Sequence, residues 1–339
     1  MKQPWIHKAQ TDGIFILAPS FLVLLIVFLF HNQLLLIEEN YSFYVWLVLI
    51  VGIDVAHVYA TLFKTYFVKE TFNERKKLLI SLPIICFLIG MILFSFGTLV
   101  FWSFLAYVAV FHFIRQQYGF MRLYSRNEIK TKFQVYLDNV IIYNATVFPM
   151  LFWFLSNNRK FNWFVENEFF LFENTNIIPY LYYLYFAIIG VYVFKTAYLF
   201  LTKKEFNIPK NVLIIGTYLS WYFGIVYYNN DLIFTLLNVV SHGIPYLSLI
   251  YFKEVNEPKI GFMKGISSFN KIAIFLVFLL GIAFVEEFFW EIFVWQENFT
   301  FNFDVSENWQ LILVPLLTAP QFTHYLLDGF IWKTKSNYS

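Results

Sequence analysis

A single cysteine, Cys86, occurs in the 339 residues, and it lies within an apolar run. An intramolecular disulfide is thereby excluded, and no thiolate cluster is available to hold a metal. Charge is scarce as well, with Asp, Glu, Lys and Arg at 14% of the chain, where a soluble globular domain carries about 25%. The net charge is only +2 and no basic block occurs, so nothing marks a nucleic-acid surface. No clear internal repeat is visible. The longest connections, around Asn157 to Pro179 and Asn256 to Asn270, are too short for a soluble domain. The aromatic stretch Phe161 to Phe172 is expected to lie along the membrane surface.

Apolar and aromatic side chains take the place of charge, at 59% and 23% of the residues. Runs of about twenty apolar residues recur along the chain, each long enough at helical rise to cross a hydrocarbon core roughly 30 Å thick. Ten such windows are read, at residues 13–30, 43–63, 78–96, 98–120, 135–155, 180–201, 212–228, 232–252, 271–293 and 309–332. The expected fold is an all-α, polytopic helical bundle in one transmembrane domain. The first window follows a short basic tail but precedes no small-residue cleavage site, and it is read as a retained helix.

Lys and Arg alternate along the connections, as expected if they mark the cytoplasmic side. Lys2 and Lys8 precede the first window. Lys64 to Lys77 follow the second, Arg122 to Lys132 the fourth, Lys203 to Lys210 the sixth, Lys253 to Lys264 the eighth, and Lys333 and Lys335 the tenth. The intervening loops carry Glu38, Glu39, Glu166, Glu168, Glu173, Asp231, Glu297, Asp304 and Glu307 beside Arg159 and Lys160. Both termini are accordingly expected in the cytoplasm. Richness in Phe, Ile, Asn and Lys points to an AT-rich bacterial genome and so to an inner membrane.

Four of the six histidines, His57, His112, His242 and His324, fall inside separate apolar windows. All four windows run from outside to inside, and the histidines precede the loop residues Lys64, Arg122, Lys253 and Lys333 by seven, ten, eleven and nine positions. That places them about 10 to 17 Å along the axis from the inner boundary, in one layer where the imidazoles could meet. An ionisable group at that depth is costly and is by default a functional-site hypothesis. Imidazole nitrogen is the commonest protein ligand for zinc, copper, iron and nickel, so the four are candidate metal ligands. Asp54 lies one turn before His57 and Asp328 one turn after His324, each placed to fix a tautomer or to complete the ligand set.

Other features extend the polar layer. Pro245 and Pro320 each free a backbone carbonyl near a histidine, as tolerated where a helix lines a cavity. Arg115, with Gln116 and Gln117, follows His112; Asn238 precedes His242; Asp138 and Asn139 enter from the fifth window. Arg115 is read either as a substrate contact or as snorkelling toward headgroups, and Lys195 as snorkelling. Glu286, Glu287 and Glu291 are expected to be solvated at the outer end of the ninth window.

The clustered histidine boxes of membrane desaturases and hydroxylases are missing. Bacterial membrane carotene-cleaving dioxygenases also have many spans and intramembrane histidines, but no motif matches theirs and no residue is carried over. The leading expectation is a membrane metalloenzyme with iron, or next zinc, acting as an oxygenase or desaturase on a lipid or isoprenoid entering from the bilayer. The alternatives are a proton- or metal-coupled transporter using the same residues and, third, a bis-histidine haem protein.

Overall fold

The computed structural model describes residues 3–40, 42–156, 159–172, 174–257, 259–297, 299, 303 and 305–332. Among the loop charges read from the sequence, Lys2, Glu173, Asp304, Lys333 and Lys335 lie outside these residues.

Lipid offers no hydrogen bonds, so a chain this apolar must satisfy its backbone internally. The described residues accordingly form helices and no strand. These are α1 (Ala9–Asn40), α2 (Ser42–Phe63), α3 (Lys69–Ser95), α4 (Thr98–Tyr124), α5 (Lys132–Leu155), α6 (Thr175–Lys203), α7 (208–227), α8 (Asp231–Val255), α9 (Ser268–Trp295) and α10 (Glu307–Ile331). Eight of them, all but α7 and α10, are long and apolar enough to cross a membrane. The ten expected crossings are therefore supported for eight. In α10 the apolar content is diluted by Pro315, Pro320, Gln321, His324 and Asp328, and α7 opens with Pro209, Lys210 and Asn211.

Local chemistry sets several boundaries. The Thr131 side chain accepts from the Gln134 amide in a reciprocal capping box that starts α5, and Ser267 does the same for Asn270 at α9. Asn207 caps α7 ahead of Pro209, whose missing N–H costs nothing in a first turn. Several helices widen into π-helical turns, including Trp46–Val55 in α2, Thr235–Val239 in α8 and Glu291–Trp295 in α9. Such turns rotate the side chains that follow and often accompany functional sites.

The chain divides into two compact units. The first comprises Met1–Leu36, Phe113–Trp163 and Phe169–Pro245. Here α5 packs against α6 and α7, with Phe148 stacked on Tyr185 at 4.1 Å and Asn144 donating to the Tyr218 hydroxyl at 2.8 Å. Arg159 donates to the carbonyls of Trp153, Phe169 and Phe170. That clamp buries Phe161 and Phe169, while Phe170 and Phe172 stay exposed, so the aromatic stretch is partly folded inward rather than laid wholly on a surface.

The second unit comprises Ile37–His112, Phe164–Glu168 and Tyr246–Ser339. Its core joins Val51, Val55, Ala60 and Phe63 of α2 to Ile250 of α8 and to Phe275, Leu279 and Ala283 of α9. Helix α10 runs along α3, closest where Gly90 meets Pro315: a Cβ on Gly90 would lie 3.0 Å from the proline Cβ. Large apolar side chains such as Leu25, Leu29, Ile84, Leu88, Val193 and Phe194 are exposed, an arrangement suited to lipid and unfavourable in water.

Gly90→Leu should therefore force α3 and α10 apart and destabilise the protein by about 1–3 kcal/mol. Gly281→Leu, where an added Cβ meets nothing within 4 Å, should be tolerated. Thermal unfolding of the two variants in detergent checks the contrast.

Candidate metal centre

Within the second unit, three helices bring His57 (α2), His112 (α4) and His324 (α10) together. One ring nitrogen of each lies within 4.8 Å of the others, and the residues are 1%, 2% and 2% exposed. Ring centroids are 4.6 Å apart for His112 and His324, 5.0 Å for His57 and His324, and 6.4 Å for His57 and His112. Nitrogens sharing one ion at about 2.0–2.1 Å are at most roughly 4.2 Å apart, so a small inward movement converts this cluster into a ligand set.

The sequence explains how the rings reach this place. His57 follows the ten-residue π-helical stretch of α2 by two positions. His324 follows Pro320 by one turn in a helix that also contains Pro315. His112 lies flat against Tyr325, the neighbour of His324, with centroids 4.8 Å apart.

A chain of hydroxyls fixes the tautomer of His324. Tyr246 donates its only proton to Asp328 Oδ1 at 2.7 Å. Thr61 Oγ1, 3.0 Å from the Tyr246 hydroxyl, must then be the donor in that pair. Having spent its proton there, Thr61 can only accept from His324 Nδ1, 2.7 Å away. Nδ1 therefore carries the hydrogen and Nε2 the lone pair. Nε2 is buried and has no hydrogen-bond partner among the described residues. A buried polar atom left in that state is costly, and a metal ion is the natural acceptor for its lone pair. Asp328 Oδ1 is itself 3.9 Å from His324 Nδ1, and Asp54 Oδ1 is 3.6 Å from His57 Nδ1. The two carboxylates thus flank the rings from outside the cluster.

Among the described residues, the group does not include the fourth histidine. His242 belongs to the first unit and is 0% exposed. It is stacked on Phe113 at 3.9 Å, and its carbonyl accepts from Gln116 Nε2 at 2.8 Å. Asn238, one turn before it, is buried with Nδ2 donating to the Phe234 carbonyl at 3.2 Å, in space that only Gly224 leaves open. Arg115 is exposed, donates to the Tyr143 hydroxyl at 2.5 Å and lies over the Tyr118 ring. Asp138 is fully buried and held by Lys130, Lys195 and Lys210 at 2.6, 2.8 and 3.2 Å. Lys195 therefore turns to a carboxylate instead of snorkelling. Burial acts to raise the Glu128 carboxyl in the same network, but the Lys210 and Lys130 ammoniums outweigh it and hold the group below its usual range.

Three acidic residues correct their expected exposure. Glu286, Glu287 and Glu291 are 8%, 8% and 2% exposed, not solvated. Tyr59 donates to Glu286, Trp46 Nε1 donates to Glu287 at 3.2 Å, and the Glu297 amide donates to Glu291 at 3.1 Å. Thr61 and Tyr246 had no signal in the sequence, since each is an ordinary residue in an apolar run. The spacing of Thr61, one turn after His57, was the only clue.

No protein-family model, curated protein or solved structure matches this chain.

If the hydroxyl chain orients His324 toward an ion, Thr61→Val should weaken metal binding about 10- to 100-fold, as loss of an orienting partner typically does. Thr61→Ser should retain most of the affinity. Competition with a chromophoric chelator measures both, and equal affinity in all three proteins would contradict the assignment.

Proposed function

We propose that this protein is a membrane-embedded metalloenzyme whose ion is held by His57, His112 and His324. The observation that carries the reading is the buried Nε2 of His324, left with a lone pair and no hydrogen-bond partner among the described residues, beside two further imidazoles. Three neutral nitrogen ligands leave coordination positions open, which is the pattern of a catalytic rather than a closed structural site. Non-haem iron is the preferred ion and would supply oxygenation or desaturation chemistry, whereas zinc would supply Lewis-acid activation. Asp328, through Tyr246 and Thr61, holds the His324 ring in one tautomer and orientation. Asp54 stands to do the same for His57, completing a shell that keeps the rings aimed. Tyr325 and Tyr246 enclose the rings with aromatic surface, which excludes water and suits a hydrophobic substrate such as a lipid or isoprenoid. Such a substrate would enter from the bilayer, in a bacterial inner membrane with both termini cytoplasmic.

A second reading rests on the buried carboxylates. Glu286, Glu287 and Glu291 continue along α9 from the partners of α2, extending the intramembrane polar series beyond the histidines. Proton- or metal-coupled transport would use such a series.

Elemental analysis and an optical spectrum of detergent-purified protein separate these outcomes. About one ion per chain should be bound and lost in His57→Ala, His112→Ala and His324→Ala. Metal-free protein of unchanged stability would reject the centre, and an intense absorption band would indicate haem instead. Metal-dependent proton flux in proteoliposomes, abolished by Glu287→Gln, would favour transport over catalysis.

A further inference from the structure

The first unit contains a second cavity system that shares no residue with the histidine cluster. Helix α6 is the least enclosed of the spans, with 11% of its apolar window buried. A groove of about 620 Å³ runs beside it, lined by Ile189, Val193, Ala197 and Phe200 of α6 and by Ile215 and Leu219 of α7. This volume lies in the range, about 300–1,000 Å³, of sites that take a whole small ligand. The groove adjoins a polar pocket of about 160 Å³, and Thr196, Phe206 and Asn211 line both. The polar pocket lies against the loops before α5 and after α6, and its charged lining is Glu128, Lys130, Lys195, Glu205 and Lys210. The two together form one amphipathic space, apolar along the helices and charged at their end.

The charges do not cancel pair by pair. Lys130 and Lys210 each bridge Glu128 and Asp138, and Lys195 binds Asp138 alone. Three ammoniums thus face two carboxylates, leaving one positive charge in excess. Glu205 lines the same pocket and takes part in no ion pair among the described residues. A net cation and a separate anion side by side call for a ligand head that carries both signs.

We propose that this space binds one phospholipid with a zwitterionic, primary-amine headgroup. A hydrocarbon chain fills the groove beside Ala197, the phosphate sits at the lysine trio, and the ammonium meets Glu205. A primary ammonium donates charge-assisted hydrogen bonds to a carboxylate, which a quaternary choline has no N–H to do. An anionic glycerol headgroup would leave Glu205 facing a partner with no positive charge.

The test uses full-length protein reconstituted with phosphatidylethanolamine, phosphatidylcholine or phosphatidylglycerol of matched chains, then washed in detergent and weighed by native mass spectrometry. The expected result is about one phosphatidylethanolamine retained per chain, at least about tenfold over the other two. Ala197→Trp, an exposed position that fills the groove, should remove retention of every lipid. Glu205→Gln should keep one bound lipid and lose most of the headgroup preference. Retention of no lipid, equal retention of all three headgroups, or a Glu205→Gln preference like that of wild type would overturn the proposal. So would unchanged retention in Ala197→Trp. Thermal unfolding of each variant in detergent separates lost binding from lost folding.

Discussion

Three buried imidazoles in a membrane protein each carry two ring nitrogens that need a partner in place of bulk water. This requirement governs the second unit. Leaving such a group unpaired costs about 2–7 kcal/mol by transfer scales, which is comparable with the whole stability of many domains. For His324 one nitrogen is satisfied by Thr61, and the other has no partner among the described residues. The same fold that spends Tyr246, Thr61 and Asp328 on Nδ1 brings a ring nitrogen of each of two more histidines within 4.8 Å of one on His324. In the proposed reading a shared cation would take up the lone pair of His324 Nε2 together with one from each neighbouring ring.

The helices show how the backbone accommodates this. A straight α-helix repeats its faces rigidly, whereas π-helical turns and prolines re-aim the residues that follow. His57 comes two positions after the longest π-helical stretch among the described residues, and His324 comes one turn after a proline. Both devices sacrifice regular hydrogen bonding at membrane depth, which is tolerated where the segment is buried in protein. The first unit handles buried charge differently. Asp138 is neutralised by three lysines, so its carboxylate is compensated without a metal, and the surplus positive charge is passed to the adjoining pocket.

Much of the fold was legible from hydropathy, since runs of twenty apolar residues are both necessary and conspicuous in lipid. The helices α1 to α10 fall on the ten windows read from the sequence, although α7 and α10 are too polar to count as spans by composition. His57, His112 and His324 were legible because histidine inside an apolar run has no cheap explanation. His242 shares that signature and stacks on Phe113 in the first unit, because the pattern marks a buried ring without specifying its neighbours. Thr61 and Tyr246 were invisible: their bonds join α2, α8 and α10 across 185 and 263 positions, and no local pattern encodes such a meeting. The burial of Glu286 and Glu287 was missed for the same reason, because their partners Tyr59 and Trp46 lie more than 200 residues away.

The central claim is that three imidazoles share one ion. X-ray absorption at the metal edge of the purified protein tests it most directly. The account predicts a first shell containing three imidazole nitrogens at about 2.0–2.1 Å with the outer-shell scattering of the rings. A shell of oxygen alone, or one with fewer than two imidazoles, would contradict it.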